Sequence, residues 1–274
     1  MSGILYLVAT PIGNLEDITL RAINILKEVD LIAAEDTRHS LKLLNHLGIS
    51  KPLLSYHRHN EDIKSDSLVH QLLDGKNIAL ISDAGTPVIS DPGEEIVKLA
   101  LKNHIQVVPI PGACAFITAL IASGLDAKEF TFLGFLPLNK KNRSEKIEEI
   151  KKATCTTILY EAPHKLLSTL QDLSTILEDR TVVLAKELTK IHETFLRGTS
   201  SELLQQLKNP KGEYVIVIEK NTHLQDEQDS FFQSMTLEDH YHFYELQGFS
   251  KNEIIKKIAK DKGVSKNEIY QQFL

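Results

Sequence analysis

The chain has 274 residues, of which 42% are hydrophobic and 25% charged, as in ordinary globular proteins. This length fits one large domain or two of medium size. Basic side chains number 31 and acidic ones 37, so the formal net charge of −6 argues against a protein that coats nucleic acid through bulk charge.

The two cysteines, Cys114 and Cys155, imply neither a disulfide framework nor a cysteine-rich metal site. The first residues lack a basic segment followed by a cleavable apolar segment. No apolar run approaches membrane-spanning length either. We therefore expect a cytoplasmic protein that has no membrane partner and no resident metal.

In the first half of the chain, apolar runs rich in β-branched residues alternate with stretches of helical periodicity. Such alternation predicts a mostly parallel sheet covered on both faces by helices. We predict strands at 4–9, 29–34, 52–56, 78–81 and 106–110, and helices over 15–26, 39–47 and 94–101, with two more that end at 73 and 123.

The second half begins with a strand-like stretch at 130–137, followed by basic residues 140–143 that are predicted to form a loop. Further strands are predicted at 156–160, 181–188, 191–196 and 214–218, and helices over 144–152, 166–176 and 200–207. We place a domain boundary near Pro137, which gives an α/β protein with two lobes, 1–137 and 138–220.

A polar segment at 221–235 is predicted to be a linker, and residues 236–274 a small helical tail. Ser250 and Ser265 each precede a glutamate by three positions, the capping-box spacing that starts a helix. Lysines and acidic residues balance in the tail, which disfavours a helix-turn-helix reader and DNA as a partner. The remaining interpretations are a packing or dimer-supporting element and a docking module for a larger RNA.

The signatures of several enzyme classes are absent: the glycine-rich dinucleotide fingerprint, the P-loop, the zinc-binding His-Glu-x-x-His and the hydrolase nucleophile elbow. What remains is a series of polar loops that follow predicted strands. Loops of this kind converge at one edge of an α/β sheet, where ligands bind. We predict a binding site where these loops meet; they span 10–14, 35–38, 57–61, 82–93, 111–115, 160–165 and 186–193.

The stretch 78–93 is the clearest of them, because a buried strand runs into small and turn-forming residues before a helix. Its Asp83 and Asp91 offer acceptors for hydroxyl or amino groups. Taken singly, an acidic or basic side chain in such a loop is more commonly a helix cap or salt-bridge partner than a catalyst. The candidates of this kind are Glu35, Asp36, His57, Asp83, Glu161, His164, Lys186, Glu187, His192 and Glu193.

The same loops closely resemble those of one family. The matching stretches occur in consistent order between about 4 and 220, at 8–17, 34–38, 82–87, 90–93, 111–115, 134–137, 160–164, 186–189 and 212–213. They resemble ribosomal RNA small subunit methyltransferase I, a family of 2′-O-ribose methylases with the two-lobed tetrapyrrole-methylase-like (class III) fold. The helical tail is also similar to that of the family.

The resemblance implies that S-adenosylmethionine is held in a cleft between the lobes and that homodimers form. It also implies that a cytidine in the decoding centre of 16S ribosomal RNA is the target, so the small ribosomal subunit is the expected partner. Carried over by position, the cofactor-binding residues are Pro11, Ser82, Asp83, Ala84, Thr86, Val88, Cys114, Ala115, Tyr160, Glu161, Ala162, Glu213 and Tyr214.

Methyl transfer to a ribose hydroxyl is an in-line displacement that benefits from positioning and from a proton acceptor within reach. The candidate catalytic residues are Glu35, Asp36 and Lys186, with Arg38 as a phosphate or ribose clamp. The expected RNA contacts of this net acidic protein are Arg58, Lys140, Lys141, Arg143 and Lys165.

The chain departs from related sequences at several positions. Residues 10–14 replace the glycine-rich first loop of tetrapyrrole methylases, which argues against a porphyrin-type substrate. Ala113 stands where relatives often have proline, and Arg58 where they often have an acidic or polar residue. The alternatives are a methylase of the same fold for a tetrapyrrole or a protein residue, and a module that binds cofactor or RNA without turnover.

Overall fold

The computed structural model describes residues 2–222, 232 and 235–272. Its first five strands are β1 (Ile4–Val8), β2 (Leu31–Ala34), β3 (Leu53–Ser55), β4 (Ile78–Ile81) and β5 (Gln106–Ile110). They pair in the order β3-β2-β4-β1-β5, and each pairing is parallel. All four residues of β4 are buried, as expected for a strand between parallel neighbours with both faces covered.

Helices cover both faces of this first sheet. They are α1 (Leu20–Glu28), α2 (Thr37–His46), α3 (Glu61–Leu73) and α4 (Glu94–Lys102), with a 3-10 helix at Leu15–Asp17. One face packs Leu80 against Leu68 and Ile96 of α3 and α4. The other packs side chains of β1 and β2 against Leu26 and Leu44 of α1 and α2. The predicted parallel, doubly covered sheet is confirmed.

The second sheet is mixed. Its strands are β6 (Phe130–Phe135), β7 (Thr156–Glu161), β8 (Val182–Lys186), β9 (Thr194–Gly198) and β10 (Tyr214–Ile218). They lie in the order β6-β7-β10-β8-β9, with β6 and β7 parallel and the other neighbours antiparallel. The helices of this half are α5 (Ala115–Ser123), α6 (Lys140–Lys151), α7 (Pro163–Ser174) and α8 (Ser200–Gln206).

Helix α5 carries the chain from one sheet to the other. It follows β5 of the first sheet, yet its Ala119 and Leu120 pack against Ile158, Val183 and Val217 of the second. The chain therefore passes from the first sheet to the second between β5 and β6, upstream of Pro137. The domain boundary near Pro137 stays a prediction. Because α5 packs on one sheet and starts at the edge of the other, it fixes one wall of the space between them.

The predicted basic loop at 140–143 is wrong, because those residues form the first turn of α6. The side chain of Asn139 accepts hydrogen bonds from the backbone N–H groups of Lys141 and Asn142 at 3.0 and 3.3 Å. An N-cap of this kind satisfies amide groups that a helix end leaves free. The helix consequently begins at Lys140 rather than at 144.

Two other predicted elements have different bounds in the structure. The helix expected over 15–26 is interrupted, because Thr19 caps a separate helix by accepting from Ala22 N at 3.1 Å. The strand expected over 181–188 ends at Lys186. Glu187 and Thr189 take φ values of 51° and 66°, which break the extended conformation. These shifts change the ends of elements and leave their order intact.

The tail is a helical unit with its own apolar core. Its helices are α9 (Leu237–Glu245), α10 (Lys251–Asp261) and α11 (Lys266–Gln272), and Ile254, Ile255 and Ile258 lie in the core. The predicted capping box at Ser250 is confirmed, with the Glu253 carboxylate accepting from Ser250 N at 2.9 Å. Most of the predicted linker at 221–235 lies outside the described residues.

Among the helices of the described ranges, each is too short or too polar to cross a lipid bilayer.

Gly93 controls the end of the loop that follows β4. Its φ is 137°, and a Cβ there would lie 2.7 Å from Leu80 Cδ2 and 2.8 Å from Val88 Cγ2. We expect Gly93→Ala to lower the free energy of unfolding by roughly 2–4 kcal/mol, from backbone strain and overpacking together. Gly48→Ala is the matched control, because its φ is 65° and a Cβ there would meet no atom within 4 Å. Urea unfolding of both variants checks this, and equal losses would contradict it.

Candidate functional site

A cleft of about 550 Å³ lies where strand-end loops of the two sheets meet. This volume falls within the range of small-molecule sites. The loop after β4 contributes one wall, the start of α5 another, and the ends of β6, β7 and β8 with the start of β10 the rest. The lining residues are Ile12, Ala84, Gly85, Thr86, Ile89, Ser90, Asp91, Cys114, Ala115, Phe135, Tyr160, Glu161, Ala162, Pro163, His164, Ala185, Leu188, Glu213, Tyr214 and Val215.

Backbone pairing joins the loops that follow β1 and β4. Thr10 N donates to Gly85 O at 2.8 Å, and Gly85 N donates to Thr10 O at 3.0 Å. The next residue, Thr86, donates through its hydroxyl to Ala113 O at 3.1 Å, just before α5. Gly85 has a φ of 85°, and a Cβ there would lie 3.1 Å from Ile12 Cγ2. Three loops from separate strands are thus held in one arrangement before any ligand arrives.

Asp91 is an acidic side chain of the cleft with an unusual environment. Burial raises the pKa of its carboxyl to about 7, and the nearby charges of Glu35 and Asp83 add to this while Arg58 opposes it. The pKa of Glu35 is also raised, first by its own burial and then by Asp83. A carboxyl with a pKa near neutrality can take up and release a proton at physiological pH.

Arg58 places a positive charge beside these carboxyl groups. Its guanidinium donates to the carbonyl oxygen of Ser90, the residue before Asp91. Its positive charge lowers the pKa values of both Asp91 and Glu35. The residue predicted to contact RNA therefore lies exposed at the cluster, where it holds the loop after β4.

The other predicted catalytic residues lie apart from the cleft lining. Asp36 caps α2 by accepting from Arg38 N at 2.8 Å, and it pairs with the Arg38 guanidinium at 2.8 Å. These bonds hold the pKa of Asp36 well below its usual range. The Arg38 side chain is 89% exposed. Lys186 ends β8, opposite Tyr214 of β10. Among the four predicted catalytic residues, Glu35 has a charge that raises the pKa of a cleft carboxyl, that of Asp91.

Most of the predicted cofactor residues line the cleft, and a few lie elsewhere. Pro11, Ser82 and Asp83 line a second, smaller pocket beside it. Val88 packs against the core of the first sheet. The predicted residues found in the cleft are Ala84, Thr86, Cys114, Ala115, Tyr160, Glu161, Ala162, Glu213 and Tyr214.

Several residues of the lining received no assigned role from the sequence. Asp91 was named only as a hydrogen-bond acceptor and His164 only among the acid–base candidates, whereas Phe135 occurs within the matching stretch 134–137 and was not named. No sequence signal marks Leu188 and Val215 as site residues, because an apolar residue next to a strand end is common in any protein core. Whether they line the cleft depends on how the two sheets meet.

Glu161 is the most deeply buried charge of the cleft wall, at 4% exposure. Its carboxylate accepts from the Thr169 hydroxyl at 2.5 Å and from Ala162 N at 2.9 Å. The Thr169 oxygen in turn accepts from Arg143 Nη2 at 2.9 Å, and that guanidinium pairs with Asp172 at 2.7 Å. This chain of bonds compensates the buried charge and fixes the direction of its oxygens.

Arg143 is therefore a support of the cleft wall. Its side chain is 19% exposed and engaged by Asp172 and Thr169, and its phosphate contact stays a prediction. Lys140 and Lys141 are exposed on the first turn of α6, and Lys165 is half-buried on α7. Within the part of the chain that is described, the acidic, cysteine and histidine side chains form no group that could hold a metal ion.

Comparisons with known proteins agree with this architecture. A family model described as Tetrapyrrole (Corrin/Porphyrin) Methylases matches residues 4–204. Ribosomal RNA small subunit methyltransferase I from Halalkalibacterium halodurans is 50% identical over 270 residues, 98% of this chain and 93% of that protein. The protein of the same name from Bacillus subtilis is 47% identical over 274 residues, 99% of this chain and 94% of that protein.

Solved structures with low sequence identity share the fold. Diphthine synthase is similar with a TM-score of 0.64 at 14% identity, over 80% of this chain and 90% of that one. Uroporphyrin-III-C-methyltransferase from Thermus thermophilus gives a TM-score of 0.56 at 20% identity, over 82% and 98% of the two chains.

Two sheets that meet at a shared cleft, together with the family match, define a methyltransferase of the tetrapyrrole-methylase class. Within that class, the chain belongs to the ribosomal RNA small subunit methyltransferase I family. The family and the fold class that the sequence indicated are both confirmed.

Thr169 offers a test of the buried network. Thr169→Val keeps the side-chain shape and removes the hydroxyl between Glu161 and Arg143. We expect the free energy of unfolding to fall by roughly 1–3 kcal/mol, because a buried carboxylate loses a partner. Thr175→Val is the matched control, since its exposed hydroxyl donates only locally, to Asp172 O. Similar losses in chemical denaturation of the two variants would contradict this role.

Asp91 should make stability depend on pH. Because the pKa of this carboxyl is about 7 in the folded protein and ordinarily 3.8, the folded state holds an extra proton between these values. This contribution to stability is present below pH 4 and is lost as the pH rises through 7. Asp91→Asn should therefore be more stable than the parent protein at pH 8, by roughly 1–4 kcal/mol, and by much less at pH 4.

Asp36→Asn is the control of opposite sign for that experiment. The pKa of Asp36 is lowered by its bonds to Arg38, so its contribution is present above its ordinary pKa and is lost as the pH falls. Denaturation curves between pH 4 and pH 8 should therefore give a pH-dependent stability difference for Asp91→Asn and a constant one for Asp36→Asn, whose change of opposite sign falls below pH 4. A constant difference for Asp91→Asn as well would mean that Asp91 is ionised throughout.

Proposed function

We propose that the protein transfers a methyl group from S-adenosylmethionine to the ribose 2′-hydroxyl of a cytidine in the decoding centre of 16S ribosomal RNA. The observation that carries this is near-half identity over almost the whole chain to proteins named ribosomal RNA small subunit methyltransferase I. The small ribosomal subunit is then the partner, and the cytoplasm the place of action.

The cleft has the chemistry that S-adenosylmethionine requires. Small residues at 84–86 and 114–115 leave room near the paired loops, and Gly85 lets backbone approach closely. Ile12, Leu188 and Val215 offer apolar surface for an adenine ring. When bound, S-adenosylmethionine supplies an electrophilic methyl group that an acceptor oxygen takes up. We assign the methionine part to 84–86, the cleft-lining portion of the predicted stretch 82–88, and the adenine side to 160–162 with Glu213 and Tyr214.

Asp91 is the proton acceptor that the geometry favours. A ribose hydroxyl is a poor nucleophile, and a carboxylate with a pKa near 7 can accept its proton as the new bond forms. Glu35 and Asp83 maintain that pKa through their charges, so Glu35 acts through Asp91. Asp36 and Lys186 remain weaker candidates because they lie outside the cleft lining.

Local cations supply RNA contacts on a protein that is acidic overall. Lys140, Lys141 and Lys165, with Arg38 and Arg58, are the side chains that we propose for phosphate contacts. We also propose a homodimer, the assembly that the resemblance to the family implies.

The function is tested by transfer of labelled methyl from S-adenosylmethionine into small ribosomal subunits from cells that lack this protein. We expect ribose-linked label at a single cytidine after nuclease mapping. Absence of label, with cofactor binding retained by calorimetry, would overturn the ribosomal assignment. Label on an added tetrapyrrole or on a protein substrate instead would favour another methylase of the same fold.

Asp91→Asn tests the proposed proton acceptor. We expect kcat to fall by roughly 10²–10⁴-fold, the usual contribution of a general base, with the Kd of S-adenosylmethionine changed less than about threefold. The rise of the parent enzyme's rate through pH 7 should disappear in the variant. Glu94→Gln is the matched control, because Glu94 is an exposed carboxylate on α4 that pairs with Lys98. Unchanged turnover in Asp91→Asn would remove Asp91 from the mechanism.

A further inference from the structure

A second pocket of about 230 Å³ lies beside the cleft. Its lining residues are Pro11, Leu15, His39, Ser40, Lys42, Leu43, Ser82 and Asp83. The two cavities share both paired loops, because the neighbours Pro11 and Ile12 line one each, as do Asp83 and Ala84. A ligand in this pocket would therefore be separated from the cleft by the backbone of those loops.

The buried hydroxyl of Ser40 is the feature that points to a ligand in this pocket. The residue is 2% exposed, and its hydroxyl has no hydrogen-bond partner among the described residues. A buried hydroxyl without a partner is costly, whereas one that a ligand completes is not. Ser40 lies on α2 and lines the pocket, but its hydroxyl oxygen has almost no accessible surface, so the side chain must rotate about χ1 to meet a ligand there.

The polar groups around Ser40 have mixed character. His39 and Lys42 are exposed on α2 and provide donors, and at Lys42 a positive charge. Asp83 provides a carboxylate, one oxygen of which already accepts from Asp36 N at 3.0 Å. A free anion would be repelled by Asp83, whereas a ribose hydroxyl can donate to it. A sugar with an attached phosphate satisfies both sides of the pocket.

The size of the pocket supports the same kind of occupant. Its volume is below the range of whole small-molecule sites, so it fits a fragment of a larger ligand. The cleft next to it has the volume for a complete cofactor. A polymer strand that passes over the paired loops would place one unit in each cavity.

We propose that this pocket holds a ribose-phosphate unit of the RNA strand, with the phosphate at Lys42 and His39, a ribose hydroxyl at Asp83, and Ser40 completing the contact. This inference rests on the proposed function, since it assumes an RNA substrate. It assigns a subsite that orients the strand beside the methyl-transfer cleft, while phosphate contacts elsewhere add affinity.

Lys42→Gln and Ser40→Ala test the pocket, with Lys102→Gln as the control. Lys102 is an exposed lysine at the C-terminal end of α4. Helices that connect parallel strands run back along them, so Lys102 lies at the edge of the sheet away from the pocket. We expect Lys42→Gln and Ser40→Ala to raise the KM for small ribosomal subunits by roughly 5–50-fold, with kcat within about twofold.

Salt dependence separates the two contacts. Loss of one phosphate contact should reduce the slope of log Kd against log salt by about one for Lys42→Gln, and leave it unchanged for Ser40→Ala. Fluorescent single-stranded RNA is the probe, and DNA of the same sequence is the comparison. The parent protein should bind the RNA more tightly than the DNA. In the two variants, the ratio of the Kd for DNA to the Kd for RNA should be smaller.

Three results would overturn the inference. Unchanged KM and RNA affinity in both variants would mean that the strand does not enter the pocket. A weaker affinity for S-adenosylmethionine by calorimetry would assign the pocket to the cofactor. A lower melting temperature in Ser40→Ala would indicate a structural hydroxyl. Absence of methyl transfer to subunits by the parent protein is a failure of the proposed function, and RNA binding by the variants then decides the pocket separately.

Discussion

The backbone pairing between Thr10 and Gly85 is the constraint on which the rest of the site depends. It joins the loops after β1 and β4, two neighbouring parallel strands whose loops would otherwise be independent. On one side of the paired loops lies the cleft, and on the other the smaller pocket. Because Thr86 also binds the loop before α5, the helix that crosses to the second sheet is tied to the same point. The position of the second lobe's wall therefore follows from a few hydrogen bonds in the first.

Buried carboxyl groups give the cleft its chemistry, and the two walls treat them differently. In the first lobe, burial and then the charge of Glu35 raise the pKa of Asp91, and the Arg58 guanidinium opposes them. In the second lobe, Glu161 is compensated by donors that lead to Arg143. The first arrangement lets Asp91 exchange a proton near neutral pH. The second fixes the orientation of the Glu161 carboxylate oxygens. A reaction that needs one mobile proton and one rigid binding wall is served by this asymmetry.

Sequence patterns predicted the fold well because local and tertiary preferences agree in it. Every residue of β4 is apolar and buried, and polar turn residues follow it. Its position between parallel strands could therefore be predicted from the sequence. Element ends were less predictable. Lys140 to Arg143 resemble a solvated loop until the Asn139 cap is seen, and the turn at Glu187 and Thr189 depends on backbone angles that no apolar pattern encodes.

The sequence by itself determined the family, the parallel first sheet and the loops that carry the site, because these depend on local pattern and on short motifs in order. Only the tertiary structure decided which side chains meet. It made Arg143 a support of Glu161 through Thr169, and drew Asp91 into a cluster with Glu35 and Arg58. It also placed Ser82 and Asp83 on the smaller pocket, next to the cleft that their neighbours line. The physical reason is that burial, charge and partner are properties of surroundings that the fold assembles from distant parts of the chain.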